Sequence, residues 1–401
     1  MKHRYVLGMA ASVAVLAWSG FASAGPNGIK IGVLTDLTAF ASSAMGPGSV
    51  LAAQLAVEDF GAKVLGKPVE VISADMQSKP DLAIQIARRW YEADNVDLIV
   101  DIPASAAAIT IQGMATQTNK MIMSTVAATD ALTGKACSPN GIHWVGNTPS
   151  LARSLVSALS AEGAKTWFLI MPDYQLGKDL ANAAKPLIES LGGKVLETVY
   201  YPTNSSDYSQ FLLRAQASGA DVIGTGGVGL DLTNQIKQAV EFGLLPGTKQ
   251  KLAAFVMNLS DVHALGLKTT QGLYIAQEFY WDRDDATRAF GRKFAARFNG
   301  RMPNFTHASN YSAVTAYLKA VQAAGTEDPK TVVARMKKDG VTKYGKPSTI
   351  RADGRTMFDV QLYRVKTAAE SKEPWDYLKL AGNIEANKIF LGPTADCPLN
   401  K

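Results

Sequence analysis

The chain has 401 residues, 47% of them hydrophobic, with 41 Lys and Arg against 35 Asp and Glu, a formal charge of +6 and two cysteines. That length exceeds what a single hydrophobic core usually holds and predicts two domains. The basic residues are scattered rather than gathered into a stripe, so no nucleic-acid partner is expected despite a pI near 9.0.

The first residues read as a targeting segment. A basic MKHRY is followed by the apolar run VLGMAASVAVLAW and by Ala22-Ser23-Ala24, a small-x-small cleavage site. Residues 1–24 are therefore predicted to be a signal peptide cut after Ala24, and the mature protein to be exported. The apolar run is shorter than the ~20 residues a membrane span needs. Export permits a disulfide between Cys137 and Cys397.

Strands and helices then alternate. Strand Ile29–Leu34 leads through a small-residue loop to a helix at Val50–Phe60. Strand Val69–Ser73 leads to a helix opened by Pro80 and running to Ala93. Val96–Asp101 is a β-branched strand that runs into Pro103-Ala104-Ser105 and a helix at Ala106–Asn119. Strand Lys120–Ser124 ends in Thr125–Thr129, and Ile142–Val145 is extended. Helix Pro149–Glu162, strand Thr166–Met171, helix Gly177–Leu191 and strand Val195–Tyr201 follow. Next come helix Asp207–Ser218, strand Asp221–Gly224, helix Leu230–Phe242 and strand Leu252–Val256. Strands Leu273–Ala276 and Val360–Val365 complete the set, with helices Asp284–Phe298, Ser309–Ala324 and Pro329–Lys338 between them. This βαβ rhythm predicts an α/β protein with doubly wound parallel sheets, and it changes near Asn147.

In open α/β sheets, ligands bind at the carboxyl ends of the strands. Two such ends in Val96–Thr133 deliver small residues and hydroxyls. Ser105 and the segment Ala127, Ala128 and Thr129 are the candidates there for holding a carboxylate, because helix N-termini and bare backbone N–H groups attract anions. Ser105 and Thr129 could equally serve as helix caps. Phe40 and Met45 are the apolar residues of the first loop. Tyr174 and Asn258 follow later strands and offer a ring and an amide.

Other chemistries find little footing. Gly224–Gly229 spells G-x-G-x-x-G between a strand and a helix, but it lies deep in an exported chain. Glu241 is misplaced for a ribose contact, so no dinucleotide or other cofactor is expected. There is no G-x-S-x-G elbow. His3, His143, His263 and His307 are far apart, so neither catalysis nor metal binding is expected.

The chain resembles the leucine/isoleucine/valine-binding family of periplasmic substrate-binding proteins, the receptors of ABC importers. The segments that carry the resemblance are KIGVLTD, LAAQLAVEDF, VDLIVDIPAS, STVAATDALTG, TWFLIMPDYQLGKDLA, SSDYSQFL and GVTKYGKPSTIRADGRTMFDVQLYRV. It implies two lobes joined by three crossovers near Asn147, Gln277 and Met357, with a ligand cleft between them. The first lobe would comprise residues 25–147 and 277–357, and the second residues 148–276 and 358–401. It also implies a monomer in the periplasm that closes like a hinged clamp on a small ligand and delivers it to an ABC permease, or alternatively to a sensory receptor. Ser105 and Ala127–Thr129 would hold the ligand's carboxylate. Tyr174, Val228, Gly229 and Asn258 would come down from the other lobe, with Gln277 beside them at the second crossover.

Two departures bear on the ligand. Amino-acid-binding members present an acid to the ligand's ammonium after the strand equivalent to Leu252–Val256. Here Met257-Asn258-Leu259-Ser260 stands there, and Asp261 comes only later. They also often carry a tyrosine where this chain has Val228-Gly229. The expected ligand is therefore a carboxylate without an obligatory ammonium, an aromatic or branched oxo or hydroxy acid. The alternative is a branched-chain or aromatic amino acid whose ammonium meets Asp231 or Asp261.

Overall fold

Strand–helix alternation from Ile29 onward builds two sheets in succession. The computed structural model describes residues 28–203, 205–244 and 249–400. The expected signal peptide lies outside them. The first sheet contains β1 (Ile29–Thr35), β2 (Lys63–Val64), β3 (Lys67–Asp75), β4 (Leu98–Asp101), β5 (Met121–Ser124) and β6 (Gly141–His143) in the order β2-β3-β1-β4-β5-β6. All its pairings are parallel except the β2–β3 hairpin. The second sheet contains β7 (Thr166–Pro172), β8 (Lys194–Tyr201), β9 (Val222–Thr225) and β10 (Lys251–Ala254) in the order β10-β9-β7-β8, all parallel.

Strands β1, β4, β5, β7 and β9 are buried on both faces, which is why they read as near-continuous apolar runs. On the first sheet, Ile31, Val33, Val100 and Met123 pack toward helices Gly46–Phe60 and Phe305–Ala324. Leu34, Ile99 and Ile122 face helices Pro80–Glu92 and Ser105–Gln117 on the other side. On the second sheet, Phe168 and Ile223 face one layer, and Trp167, Leu169 and Val222 the other. The helix expected from Val50 starts at Gly46, because Pro47 is compatible with the first turn.

The parallel rhythm ends at β11 (Tyr274–Gln277). Three helices follow without a strand between them: Asp285–Arg297, Phe305–Ala324 and Pro329–Asp339. The chain then makes β12 (Val341–Lys343), β13 (Lys346–Ile350) and β14 (Thr356–Met357), an antiparallel set. β15 (Val360–Val365) and β16 (Leu378–Ile384) form a second antiparallel set with β11. Parallel pairing throughout is thus corrected, as is a strand list ending at Val365. Tyr344 and Gly345 both take positive φ, 51° and 81°, the two-residue turn that forces a hairpin. β16 is unrecognisable by composition because it carries Lys379, Gly382 and Asn383 and is mostly exposed.

The segments between the sheets share one buried polar network. The Glu278 carboxylate accepts from the Gly146 N–H at 2.5 Å, the Lys343 ammonium at 3.1 Å and the Tyr344 hydroxyl at 3.1 Å. Lys343 also donates to the Trp144 carbonyl, and Arg355 to the Val145 carbonyl and to His143 Nδ1. Burial pushes the Lys343 ammonium down to about 7, against the pull of Glu278. Cys137 and Cys397 are joined in a disulfide. The last residues, assigned to the second lobe from the sequence, therefore return to a loop that follows β5. Arg351 donates to the Leu391 carbonyl on the way, at 2.6 Å.

Candidate ligand-binding cleft

A cavity of about 210 Å³ lies where the carboxyl ends of the two parallel sheets face each other. Phe40, Ala41 and Met45 enter it after β1, and Met76, Ser78 and Pro80 after β3. Pro103, Ala104 and Ser105 follow β4, and Val126 and Ala128 follow β5. From the second sheet come Tyr174 and Leu176 after β7, Thr203 after β8, Val228 after β9, and Val256 and Asn258 after β10. Phe305 and Thr306 close it. No Asp, Glu, Lys, Arg or His is among these residues.

Ser105 is the first residue of helix Ser105–Gln117. Ala104 occupies the N-cap position without a side-chain hydrogen bond to the helix. The Ser105 hydroxyl is thus not spent as a cap, and the first-turn N–H groups lack a side-chain acceptor. The backbone that delivers this turn is strained. Asp101 has φ 76° and the β-branched Ile102 φ 60°, a left-handed pair just before Pro103. Asp101 is fully buried, with Ser49, Thr35 and Asn310 as the polar groups around its carboxyl.

Burial raises the Asp101 pKa to about 7, opposed by Ser49, Thr35 and Asn310 nearby. A carboxyl whose folded pKa lies above its unfolded value holds its proton longer in the folded state. Its effect on stability therefore turns unfavourable as pH climbs from about 4 to 7, by roughly 1.4 kcal/mol per unit. Asp101→Asn keeps a side chain suited to positive φ and removes the titration. We expect the variant to gain in melting temperature over wild type between pH 5 and pH 8. A melting difference that does not change with pH would refute the assignment.

The first loop is braced from below. The Asp36 carboxylate accepts from the Ala41 N–H at 3.1 Å and from the Ser78 hydroxyl at 2.6 Å. Across the cleft, the Leu230 N–H donates to the Phe40 carbonyl at 3.2 Å. Ala41, Ala44, Met45 and Ala128 pack in one apolar cluster with Val228, Leu176 and Phe255. The two sheets are thus in contact over the cavity.

The structure brings seven of the expected ligand residues to the cavity: Phe40, Met45, Ser105, Ala128, Tyr174, Val228 and Asn258. Four do not line it. Ala127 is buried, and its carbonyl faces His143 Nε2 at 2.8 Å. Because Arg355 donates to Nδ1, Nε2 carries the proton and donates to Ala127. Burial and the neighbouring Arg355 hold the His143 pKa well below its usual value. Thr129 caps the short helix Asp130–Thr133 by accepting from the Ala131 N–H at 3.4 Å. Gly229 abuts the Phe40 carbonyl instead of the cavity. Gln277 donates to the Met257 carbonyl at 2.7 Å.

The two acids considered for an ammonium are also elsewhere. The Asp261 carboxylate accepts from the Asn258 N–H at 2.8 Å, and burial raises its pKa to about 7. Asp231 is buried in the first turn of helix Leu230–Glu241, hydrogen-bonded to Tyr208. Among the residues missed, Ser78, Leu176 and Thr203 follow strand ends and were reachable by the same rule. Phe305 and Thr306 follow no strand and carried no such signal.

Residues 28–372 match the family described as periplasmic binding protein. A periplasmic binding protein from Burkholderia mallei is 41% identical, with a TM-score of 0.90 over 94% of this chain and 100% of its own. A branched chain amino acid ABC transporter periplasmic ligand-binding protein from Burkholderia xenovorans LB400 is 39% identical, with a TM-score of 0.80 over 90% of this chain and 96% of its own. A Leu/Ile/Val-binding protein homolog 3 of Brucella melitensis is 24% identical over 83% of this chain and 89% of its own length. With two parallel-sheet cores meeting over a cleft, the chain belongs to the periplasmic binding protein family, with the type I fold of the substrate-binding components of ABC importers.

Proposed function

We propose that this protein captures a small carboxylate, an aromatic or branched oxo or hydroxy acid, and delivers it to an ABC permease in the inner membrane. The observation that carries this reading is a cleft whose lining, among the described residues, holds no charged side chain. An ammonium would enter it without a counter-charge, at a cost of several kcal/mol. A carboxylate would find the Ser105 hydroxyl and an uncapped helix N-terminus, whose N–H dipoles contribute up to ~2 kcal/mol in a partly buried setting. The cavity is below the ~300–1,000 Å³ typical of drug-sized ligands, which suits a single ring or branched chain.

In this reading residues 25–147 and 277–357 move as one body, and residues 148–276 and 358–401 as the other. Ligand would settle first on Ser105 and Ala128, and Tyr174, Val228 and Asn258 would then close over it. Closure is favoured only by the contacts that the second lobe adds.

Calorimetric titration with aromatic acids, branched oxo acids and amino acids tests the reading. Micromolar binding of an acid lacking an ammonium is expected, and Ser105→Ala should weaken it about tenfold. Binding of amino acids alone would overturn the ligand class, and unchanged affinity in Ser105→Ala would overturn the cradle. The name of the 39% identical relative favours a second reading, a branched-chain amino acid. Its ammonium would have to rely on carbonyl and hydroxyl oxygens, because Asp231 and Asp261 do not line the cavity.

A further inference from the structure

The bridged tail joins parts of the chain that belong to different sheets. At one end, Val365, Trp375 and Leu378 share a core cluster with Phe168 and Ile223 of the second sheet. Helix Ala386–Ile389 then packs against helix Thr148–Ala161, whose Leu155 and Val156 lie with Trp167 and Leu169 on that sheet. Ile389 and Phe390 are buried with Phe358 and Val360. At the other end, Cys397 is bonded to Cys137 in the loop between β5 and β6 of the first sheet. That loop is fixed to its own side. The Gln112 amide of helix Ser105–Gln117 donates to the Leu132 carbonyl at 2.9 Å and to the Ala136 carbonyl at 2.6 Å, and the Asn140 amide donates to the Lys120 carbonyl at 3.0 Å.

Between these anchors, residues 391–396 are all exposed. Leu391 borders a recess whose other walls include Asp130, which follows β5, and Arg153, Asp179 and Leu187 of the second sheet's helices. The tail therefore lies over the seam between the two bodies. The chain already passes between them three times, from β6 to β7, from β11 to helix Phe305–Ala324 and from β14 to β15. The disulfide adds a fourth link, anchored at both ends. An extended chain covers ~3.3–3.6 Å per residue, so the stretch from Phe390 to Cys397 reaches no further than about 25 Å. We infer that this tail is a strap that limits how far the two lobes open when no ligand is bound. A capped opening keeps more of the empty protein near the binding-competent state, which reduces the conformational cost of capture. The inference rests on the two-body movement proposed above and is independent of the ligand's chemistry.

Small-angle scattering on the ligand-free mature chain tests it. One variant removes the bond, Cys137→Ser with Cys397→Ser. A second keeps the bond and lengthens the strap by Gly-Ser-Gly-Ser-Gly-Ser between Gly392 and Pro393, which adds up to ~20 Å of reach. Closure entropy changes slowly with loop length, so the lengthened variant should melt close to wild type and separates strap length from stability. Both variants should show a radius of gyration roughly 1 Å above that of wild type, against the ~21 Å expected of a compact chain of this length. Either variant scattering like wild type would overturn the strap. An unchanged bond-free variant would mean that the tail stays in place without the bond, and an unchanged lengthened variant that its length limits nothing.

Gly229→Val separates that failure from failure of the two-body movement. Gly229 has φ 57°, and a Cβ there would lie 2.5 Å from the Phe40 carbonyl oxygen, so a valine pushes the facing loops of the two sheets apart. Its opening should be smaller with the natural strap than with the lengthened one. Equal opening in both would overturn the strap alone. No opening in either would overturn the two-body movement and the inference with it.

Discussion

Gly229→Val is expected to lower ligand affinity by at least about two orders of magnitude while leaving the two sheets folded. Gly229 has φ 57° and ψ −126°, a backbone region closed to L side chains, and a Cβ placed there would lie 2.5 Å from the Phe40 carbonyl oxygen. The next residue's N–H donates to that same oxygen at 3.2 Å. A valine would thus strain its own backbone and wedge the second sheet's loop away from the first sheet's loop. Left-handed strain alone costs ~1–2 kcal/mol for a residue with a Cβ, and more for a branched one. Raising the closed state by ~3 kcal/mol relative to the open one reduces apparent affinity about a hundredfold. Titration calorimetry reads the affinity, and small-angle scattering with and without ligand reads the closure. Wild-type affinity in Gly229→Val would show that the Phe40–Leu230 contact is no part of the binding-competent state. Gly229→Ala should fall between the two, since it meets the same oxygen without the branch.

Replacing both cysteines, Cys137→Ser with Cys397→Ser, is expected to cost about 2–5 kcal/mol in unfolding free energy. The bond closes a loop across a sequence separation of 260. Chain-entropy arithmetic for so long a loop gives roughly 5–6 kcal/mol, an upper figure because denatured chains keep some structure. Residues 391–396 between the buried Phe390 and Cys397 are all exposed, so packing in that stretch compensates little for the lost bond. Equilibrium denaturation of the double variant beside the oxidised wild type measures the difference. A loss below about 1 kcal/mol would mean that the tail is held by its noncovalent contacts, such as that of Leu391 with Arg351. Because the bond returns the last residues to the first sheet's side, scattering on the ligand-free double variant also shows whether the tail limits opening.

Most of the framework is legible one residue at a time. Val96–Asp101, Thr166–Met171 and Asp221–Gly224 are short apolar or β-branched runs that a parallel sheet buries on both faces, and each lies within two residues of an observed strand. Breaks in the reading have local causes. β13 contains Pro347, and β16 alternates polar residues with a glycine, so neither looks like a strand until a neighbour pairs with it. Helix Leu259–Leu265, with Asn258 at its N-cap, has seven residues, too few for a helical period to stand out.

The candidate site divides along similar lines. Positions after strand ends pointed to Ser105, Ala128, Tyr174 and Asn258, because strand polarity alone sends them to one edge of each sheet, whereas Val228 came with the family resemblance. Nothing local separates Ala128, which lines the cavity, from its neighbours Ala127 and Thr129, which brace the loop from behind. That choice depends on His143 and Arg355, held together across more than two hundred residues. The same holds for Asp231 and Asp261. As letters they are acids near strand ends, while in three dimensions one bonds Tyr208 and the other its own helix N-terminus.

The amino-acid sequence by itself determined the alternation of elements, the two parallel cores, the polarity that gathers loops at their carboxyl ends, and a pair of cysteines able to bridge. These follow from periodicity, propensity and compartment, all properties of neighbouring residues. Only the tertiary structure decided which loop residues line the cavity, that none of the described residues lining it is charged, and that the tail returns to Cys137. Those outcomes depend on which distant group arrives first at each donor and acceptor, and hydrogen bonds between residues a hundred or more positions apart leave no trace in local pattern.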